Sequence, residues 1–380
     1  MKIVYVVPIL SPYMRPMYSA LAKCPNTEIH IIVERSSDPN KISSTFQEVE
    51  GCKIYLINSK VSKSVYQNNP NRGYAVERKR FYPWGLRKTI NKIKPDIVIV
   101  CNAVEFSYSM FARKYKLATV VEDTLRAAEK KHWTSKLAKK LLYSTGDLFI
   151  PFSNDAVDFL EENGINKPMI KSSWAMEMEY FESLDTDEKI ATKKAELGLS
   201  EKKNYILPAM LIPRKGIGEL LEAWNEMNCD FIENSHLYIL GNGMLEEQLK
   251  VYCANNSLSN IHFMGLQPYN VVSEYMQCGD CFILPTLEDL CSLSVLEGMA
   301  AGLPVLTTIY NGAKQFVEEG RNGFIFDPEK KESIIDALTK MNDSNFQEMS
   351  ACSKELAKKY TPEVVMTKLR NDLGKFMGEI

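Results

Sequence analysis

Two short apolar runs, Cys281–Leu284 and Val305–Thr308, bracket a loop and a helix that stops at Gly302 and Pro304. Each run is too short for a helix and is bounded by turn residues, so the stretch reads as strand, loop, helix, strand. A unit of this kind makes its two strands parallel, because the helix between them carries the chain back to the edge it left. Open parallel sheets bind ligands at the carboxyl ends of their strands, where the next helix presents unpaired N–H groups to an anion. The loop carries Asp289 and the helix carries Glu297, eight positions on. Two carboxylates beside an anion site fit a ligand that also offers hydroxyls. A sugar nucleotide offers a diphosphate to the amides and sugar hydroxyls to the acids.

The same alternation runs through the rest of the chain. Lys2–Val7, Ile29–Val33, Asp96–Cys101, Ala118–Glu122 and Leu148–Phe152 read as strands. Met14–Leu21, Gly85–Ile93, Ser135–Tyr143 and Asn154–Asn163 read as the helices among them. Residues 35–75, polar and rich in Asn and Ser, read as loop with one short strand, Lys53–Ile57. A second series begins at Tyr205–Met210 and continues through His236–Leu240 and Ile261–Met264 to the opening unit. Gly218–Asn228, Met244–Asn255 and Asn270–Gln277 are its helices; Lys331–Lys340, Asn345–Lys359 and Pro362–Phe376 close the chain. At 380 residues the chain exceeds one ordinary core. Strand–helix alternation in both halves predicts an α/β protein of two doubly wound, Rossmann-like domains facing a central cleft.

Hydrophobic content of 45% and charged content of 25% are those of a globular protein. No apolar run is long enough to span a membrane, and the first strand lacks the basic region and cleavage site of a signal peptide. The nine cysteines are scattered, mostly inside apolar runs such as Ile261–Leu284, which suits a reducing cytoplasm. Residues 1–180 hold 27 Lys and Arg against 18 Asp and Glu, whereas residues 181–380 hold 19 against 30. The basic excess gathers at Arg78–Arg80, Arg87 to Lys94 and Arg113 to Lys140. Solvated helix faces account for it, or else attraction to an anionic membrane surface or a phosphorylated acceptor. No nucleic-acid motif accompanies it.

Three further loops follow strands of the second series. After Tyr205–Met210 comes the adjacent pair Arg214 and Lys215, then Gly216 opening a helix. Cations in that position suit phosphate oxygens. Gly241-Asn242-Gly243 follows the next strand and allows close backbone approach, and Met264-Gly265 ends the third. In a parallel sheet these loops share one edge with the loop of Asp289, so the four converge. No Ser/His/Asp triad, metalloprotease helix or P-loop is present. His30, His236 and His262 lie in or beside strands and read as structural, with His132 far from them. Cys278-Gly-Asp-Cys281 and Asp185-Thr-Asp187 have the spelling of metal or redox motifs, but nothing completes either site, so no metal is expected.

Taken together, Pro208–Gly216, Gly241–Gly243, Phe263–Gly265, the Asp289 and Glu297 pair and the Gly312…Asn322-Gly-Phe324 segment resemble the retaining glycosyltransferases of family 4, with the GT-B fold. Ser11–Leu21 looks like the first loop and helix of bacterial surface-polysaccharide members, and Tyr360–Glu363 like the start of the helix that crosses back at the C-terminus. The resemblance implies an acceptor-binding domain over 1–178 with 362–380, and a nucleotide-sugar-binding domain over 179–361. It implies transfer from a UDP- or GDP-type nucleotide diphosphate sugar, with anomeric configuration retained and no essential metal or cofactor. Arg214 and Lys215 would hold the diphosphate, Glu297 the ribose hydroxyls and Asp289 the donor sugar. Backbone N–H groups of Cys291, Ser292 and Leu293 would meet the phosphates, and the base would lie near Met264 and Gly265. The acceptor would be a sugar or a polyprenyl-diphosphate-linked glycan, reached from the cytoplasm at the inner membrane face.

Departures from the family pattern carry information. Met210 stands where the family usually has Arg, which removes one cation of the diphosphate clamp; loss of such a contact typically costs ~2–4 kcal/mol of transition-state stabilisation. Arg214 or Arg15 would have to replace it. Gln315 stands where Glu is usual. Cys101-Asn102 and Val121-Glu122 occupy positions where many members carry His, which leaves Glu122 to orient the acceptor hydroxyl. Two other readings keep the fold: a nucleotide-binding partner without turnover, or another GT-B enzyme. Among the latter, an epimerase needs His and acid pairs not found here, and a phosphorylase needs a pyridoxal lysine and a longer chain.

Overall fold

A computed structural model describes residues 1–8, 10–33, 48–57, 60–69, 74–82, 85–101, 106–107, 109–110, 113–129 and 133–379. The chain divides into two compact units, one of Met1–Gln67, Glu77–Met176 and Thr361–Ile380, the other of Asn68–Val76 and Glu177–Tyr360.

The strands up to Pro151 are β1 (Lys2–Val7), β2 (Glu28–Val33), β3 (Cys52–Leu56), β4 (Lys60–Asn69), β5 (Tyr74–Tyr82), β6 (Ile97–Val100), β7 (Lys116–Val121) and β8 (Leu148–Pro151); all lie in the first unit except the end of β4 and the start of β5, which fall to the second. Six of them form one parallel sheet in the order β3-β2-β1-β6-β7-β8. Their sequences are nearly continuous Ile, Val and Leu because helices cover both faces. Side chains alternate between those faces. Val4, Val6, Val98 and Val100 meet Leu86, Ile90 and Ile93 of the helix Leu86–Ile93. Tyr5, on the opposite face of β1, packs edge-on against Tyr18 of the helix Arg15–Ala22, ring centroids 4.9 Å apart. The last helix, Pro362–Met377, packs on that same helix. It starts on Pro362 with Thr361 as its cap, and Arg370 ties it down through Thr27 Oγ1 at 2.7 Å.

The second unit repeats the plan. Its strands are β9 (Lys203–Pro208), β10 (Ser235–Leu240), β11 (Ile261–Gly265), β12 (Cys281–Ile283), β13 (Val305–Thr308) and β14 (Gly323–Phe326). They too are parallel, in the order β11-β10-β9-β12-β13-β14. Tyr205 of β9, Trp224 of the helix Ile217–Asn225 and Phe231 of the helix Cys229–Asn234 form a fully buried aromatic cluster. Burying each such ring contributes about 2–3 kcal/mol. Numbered within its own sheet, each has the order 3-2-1-4-5-6 of the doubly wound fold, so the direction in which successive strands are added reverses between β1 and β6 and again between β9 and β12.

Two expectations need correction. Residues 35–75 hold more than one short strand, because β4 lies within them and pairs with β5 as a separate two-stranded sheet. A two-stranded sheet buries no central strand, so no continuous apolar run marks it in the sequence. The helices Leu125–Glu129 and Cys229–Asn234 are likewise absent from the sequence reading. Cys278 and Cys281 are both buried in the second unit, and desolvation raises the Cys278 thiol to about 11. Asp185 and Asp187 belong to a helix start: Thr186 caps Asp187–Glu196, and Asp185 pairs with Lys189 at 2.7 Å.

Candidate functional site

The second unit's point of reversal lies between β9 and β12, and the loops leaving those strands are knitted together there. Leu287 N donates to Arg214 O at 2.9 Å, and Thr286 Oγ1 donates to the same carbonyl at 3.0 Å. Gly216 makes this approach possible. Its φ is +66°, and a Cβ there would stand 2.0 Å from Pro285 O. The result is a paired set of charges. Lys215 Nζ lies 2.6 Å from Asp289 Oδ2, and Arg214 Nη1 lies 3.6 Å from the same oxygen while donating to Glu288 O at 3.1 Å. The Lys215 and Asp289 side chains are only 11% and 17% exposed. A lysine held this far from water keeps its position, and one carboxylate oxygen shares it with an arginine.

Asp289 is fixed from the other side by the loop after β13. Asp289 N donates to Tyr310 O at 3.1 Å, and Gly312 N donates to Asp289 O at 3.2 Å. Asn311, fully buried between them, accepts from Ser292 N at 3.2 Å and Ala313 N at 3.0 Å and donates to Thr307 Oγ1 at 3.0 Å. The Ser292 amide expected to meet phosphate therefore already has an acceptor. Leu293 is the first residue of the helix Leu293–Ala300, whose cap residue Ser292 makes no side-chain capping bond. That helix start keeps the N–H character of an anion site.

Glu297 lies one turn further along, 9% exposed. Tyr269, the first residue of the helix Tyr269–Cys278, donates its hydroxyl to Glu297 Oε1 at 2.9 Å. Burial raises the Glu297 carboxyl above the ordinary range, and the Tyr269 hydroxyl opposes that rise. Burial and the neighbouring carboxylate push the Tyr269 phenol up. It therefore acts as a donor.

Gly241 and Gly243 serve a contact within the protein. A Cβ on either would strike the loop after β9, 2.0 Å from Ala209 O and 2.4 Å from Leu211 O. Leu211 N donates to Asn242 O at 2.9 Å across the same approach. Met264 and Gly265 end β11, and Gln267 Nε2 donates to Met264 O at 2.5 Å. Met210 is 51% exposed just beyond β9, so the position where a cation is usual presents an apolar side chain. Gln315 Nε2 lies 4.0 Å from Cys291 Sγ.

Glu122 belongs to the first unit, immediately after β7, and is half-buried. It lines a cavity of about 290 Å³ at the carboxyl ends of β1, β6, β7 and β8, together with Tyr13, Cys101, Phe152 and Trp174. Trp174 packs edge-on to both Tyr13 and Phe152, at 5.6 and 5.0 Å. Arg15 Nη2 donates to Glu48 O at 2.9 Å within the same unit.

Arg214, Lys215 and Asp289 are thus in direct contact, with the helix of Glu297 beginning four residues after Asp289. Tyr269 and Asn311 escaped the sequence reading. Asn311-Gly312 carries the signal of a turn, and only the position of that turn beside Ser292 gives it a further role. Nothing in the sequence pairs Tyr269 with Glu297.

Residues 189–359 match the family model described as Glycosyl transferases group 1. The alpha-monoglucosyldiacylglycerol synthase of Acholeplasma laidlawii is 26% identical over 335 residues, covering 77% of this chain and 80% of that protein. The lipopolysaccharide glucosyltransferase WaaG of Escherichia coli is 28% identical over 169 residues, 42% of each chain. The crystal structure of Anabaena HepE in complex with UDP superposes over 100% of both chains with a TM-score of 0.75 at 14% identity, which is a likeness of fold. Residues 189–359 thus carry a glycosyl transferases group 1 domain, and the two parallel six-stranded sheets are those of the GT-B fold.

Proposed function

We propose that the chain transfers a sugar from a UDP- or GDP-type nucleotide diphosphate sugar to a hydroxyl of a lipid-linked glycan, with the anomeric configuration retained. The observation that carries this reading is the Lys215–Asp289 contact at the point of reversal between β9 and β12. When a donor binds there, its diphosphate replaces the Asp289 carboxylate as partner of Lys215 and Arg214. Asp289 is then free to accept hydrogen bonds from hydroxyls of the donor sugar. The bond from the anomeric carbon to the diphosphate oxygen breaks and the electron pair leaves with the diphosphate. Lys215 and Arg214 stabilise the charge that develops, the task a metal ion performs in other transferases. Glu297, oriented by Tyr269, accepts from the ribose hydroxyls. The Leu293 N–H and the start of its helix meet a phosphate oxygen.

On the acceptor side, Glu122 orients the attacking hydroxyl, whose proton passes to the departing diphosphate oxygen as the hydroxyl oxygen bonds to the anomeric carbon. The aromatic walls of the neighbouring cavity suit the apolar faces of a sugar ring. Two relatives whose names refer to a diacylglycerol and a lipopolysaccharide support a lipid-linked acceptor. The basic N-terminal half favours work at the cytoplasmic face of an anionic membrane.

The test is consumption of UDP- and GDP-sugars in the presence of glycolipid acceptors, with Lys215→Ala and Asp289→Ala as controls. Release of nucleotide diphosphate by the wild-type chain and its loss in both variants is the expected result. The exposed Met210 favours one other reading, a nucleotide-binding protein without turnover. Binding of UDP or GDP with no sugar consumed across the panel would establish that reading instead.

A further inference from the structure

The helix Trp133–Tyr143 presents an apolar stripe to solvent. Trp133, Leu137 and Leu141 are 66%, 49% and 62% exposed. Their spacing of four residues sets them within one side of the helix. The helix is attached by other residues: Tyr143 is buried, Leu142 packs against the core of the first unit, and Lys139 is paired with Asp123. Residues 133–143 carry three lysines and no acid, and Lys140 is exposed. Trp and Leu on one side of a lysine-bearing helix is the composition of a helix that lies in a membrane interface.

We propose that Trp133, Leu137 and Leu141 dock this unit on an anionic bilayer, with the apolar stripe entering the headgroup boundary and Lys140 meeting lipid phosphates. This deepens the reading of a lipid-linked acceptor, and rests on it for its purpose. Charge decides the occupant. A second copy seated by two-fold symmetry would set the same lysine-bearing helix against itself, and protein interfaces are depleted in lysine. The excess of 27 cations over 18 acids in residues 1–180, against the reverse in the remainder, turns this unit toward the negative surface. No described helix is long and apolar enough to cross a membrane, so this attachment is peripheral.

The test is co-sedimentation of the full chain with vesicles of phosphatidylcholine alone, and of equal parts phosphatidylcholine and phosphatidylglycerol, without donor. The chain is expected to bind the anionic vesicles, less so as salt rises. The Leu137→Glu/Leu141→Glu double variant should bind at least about tenfold more weakly, and Lys140→Glu should weaken binding by a smaller factor. Because the substituted side chains are exposed, thermal unfolding and the stabilisation given by UDP or GDP should stay as in the wild type. Equal binding to both vesicles, binding to neither, or anionic binding untouched by the double substitution would each overturn the proposal. So would a dimer in sedimentation velocity that the double substitution dissolves. Vesicle binding by a chain that consumes no nucleotide sugar would sink the proposed reaction and leave this surface standing.

Discussion

Replacing Tyr269 by Phe removes one hydroxyl and leaves the ring, so its effect isolates the hydrogen bond to Glu297 Oε1. A hydrogen bond to a charged acceptor contributes about 1.5–3 kcal/mol, one to a neutral acceptor about 0.5–1.5. Tyr269 is 50% exposed, which favours the lower end of both ranges. The bond then stabilises the ionised carboxylate over the protonated one by about 1 kcal/mol, or roughly fivefold in proton affinity. The sign follows from burial, which already raises the folded pKa of Glu297 above its unfolded value. Between those two values the folded state holds more protons, so this residue's contribution to stability falls as pH rises through its folded pKa. Tyr269→Phe raises that folded value further. The variant's deficit should therefore be largest at neutral pH, about 1.5 kcal/mol, and shrink to about 0.5 kcal/mol in acid where Glu297 is protonated in both proteins. Urea unfolding across a pH series measures the deficit. If Glu297 receives the ribose, affinity for the nucleotide will fall over the same range. A deficit that stays constant with pH would refute the claim that Tyr269 supports an ionised carboxylate.

Lys215→Met should reduce donor turnover by about a hundredfold or more, since it removes a preorganised cation from the developing charge; steady-state rates with the preferred nucleotide sugar would show it, and a change below threefold would displace Lys215 from the mechanism. Met210→Arg should move the other way, raising turnover or donor affinity by about tenfold or more, because the position is exposed just beyond β9 and has room for a longer side chain. An unchanged rate would mean that Arg214 already supplies the whole clamp. Gly216→Ala combines a positive φ with a Cβ 2.0 Å from Pro285 O, so it should cost about 3 kcal/mol of stability. A loss under about 1 kcal/mol in denaturant unfolding would show that the two loops part more easily than their hydrogen bonds suggest.

The parts legible in sequence were those fixed by local rules. Runs such as Ile97–Val100 and Cys281–Leu284 have no polar face to offer and read as buried strands. Arg214, Lys215 and Asp289 were legible as a group because parallel strands bring their following loops to one edge, which requires no knowledge of side-chain positions. What remained hidden depends on pairs distant in sequence and ordinary in type. The Tyr269 hydroxyl meets Glu297 across 28 positions, and Asn311 meets Ser292 across 19. The glycines of Gly241-Asn242-Gly243 were visible, but their reason was not: the loop after β9 occupies the space a side chain would need. The strand β4 stayed hidden because its sequence lacks the apolar face by which buried strands are recognised.

The two units share a strand order and therefore a point of reversal, but each fills that point differently. In the second unit the position between β9 and β12 holds an arginine, a lysine and an aspartate, buried enough that their charges act on one another and on any anion that displaces the pairing. In the first unit the corresponding position, between β1 and β6, opens into a cavity walled by Tyr13, Phe152 and Trp174, with Glu122 the charged group at its edge. The backbone plan thus supplies the same topological position twice, and side-chain chemistry sets the two apart: cations held out of water beside a carboxylate in the second unit suit an anion, whereas aromatic walls with one carboxylate in the first suit an apolar ring face that carries a hydroxyl.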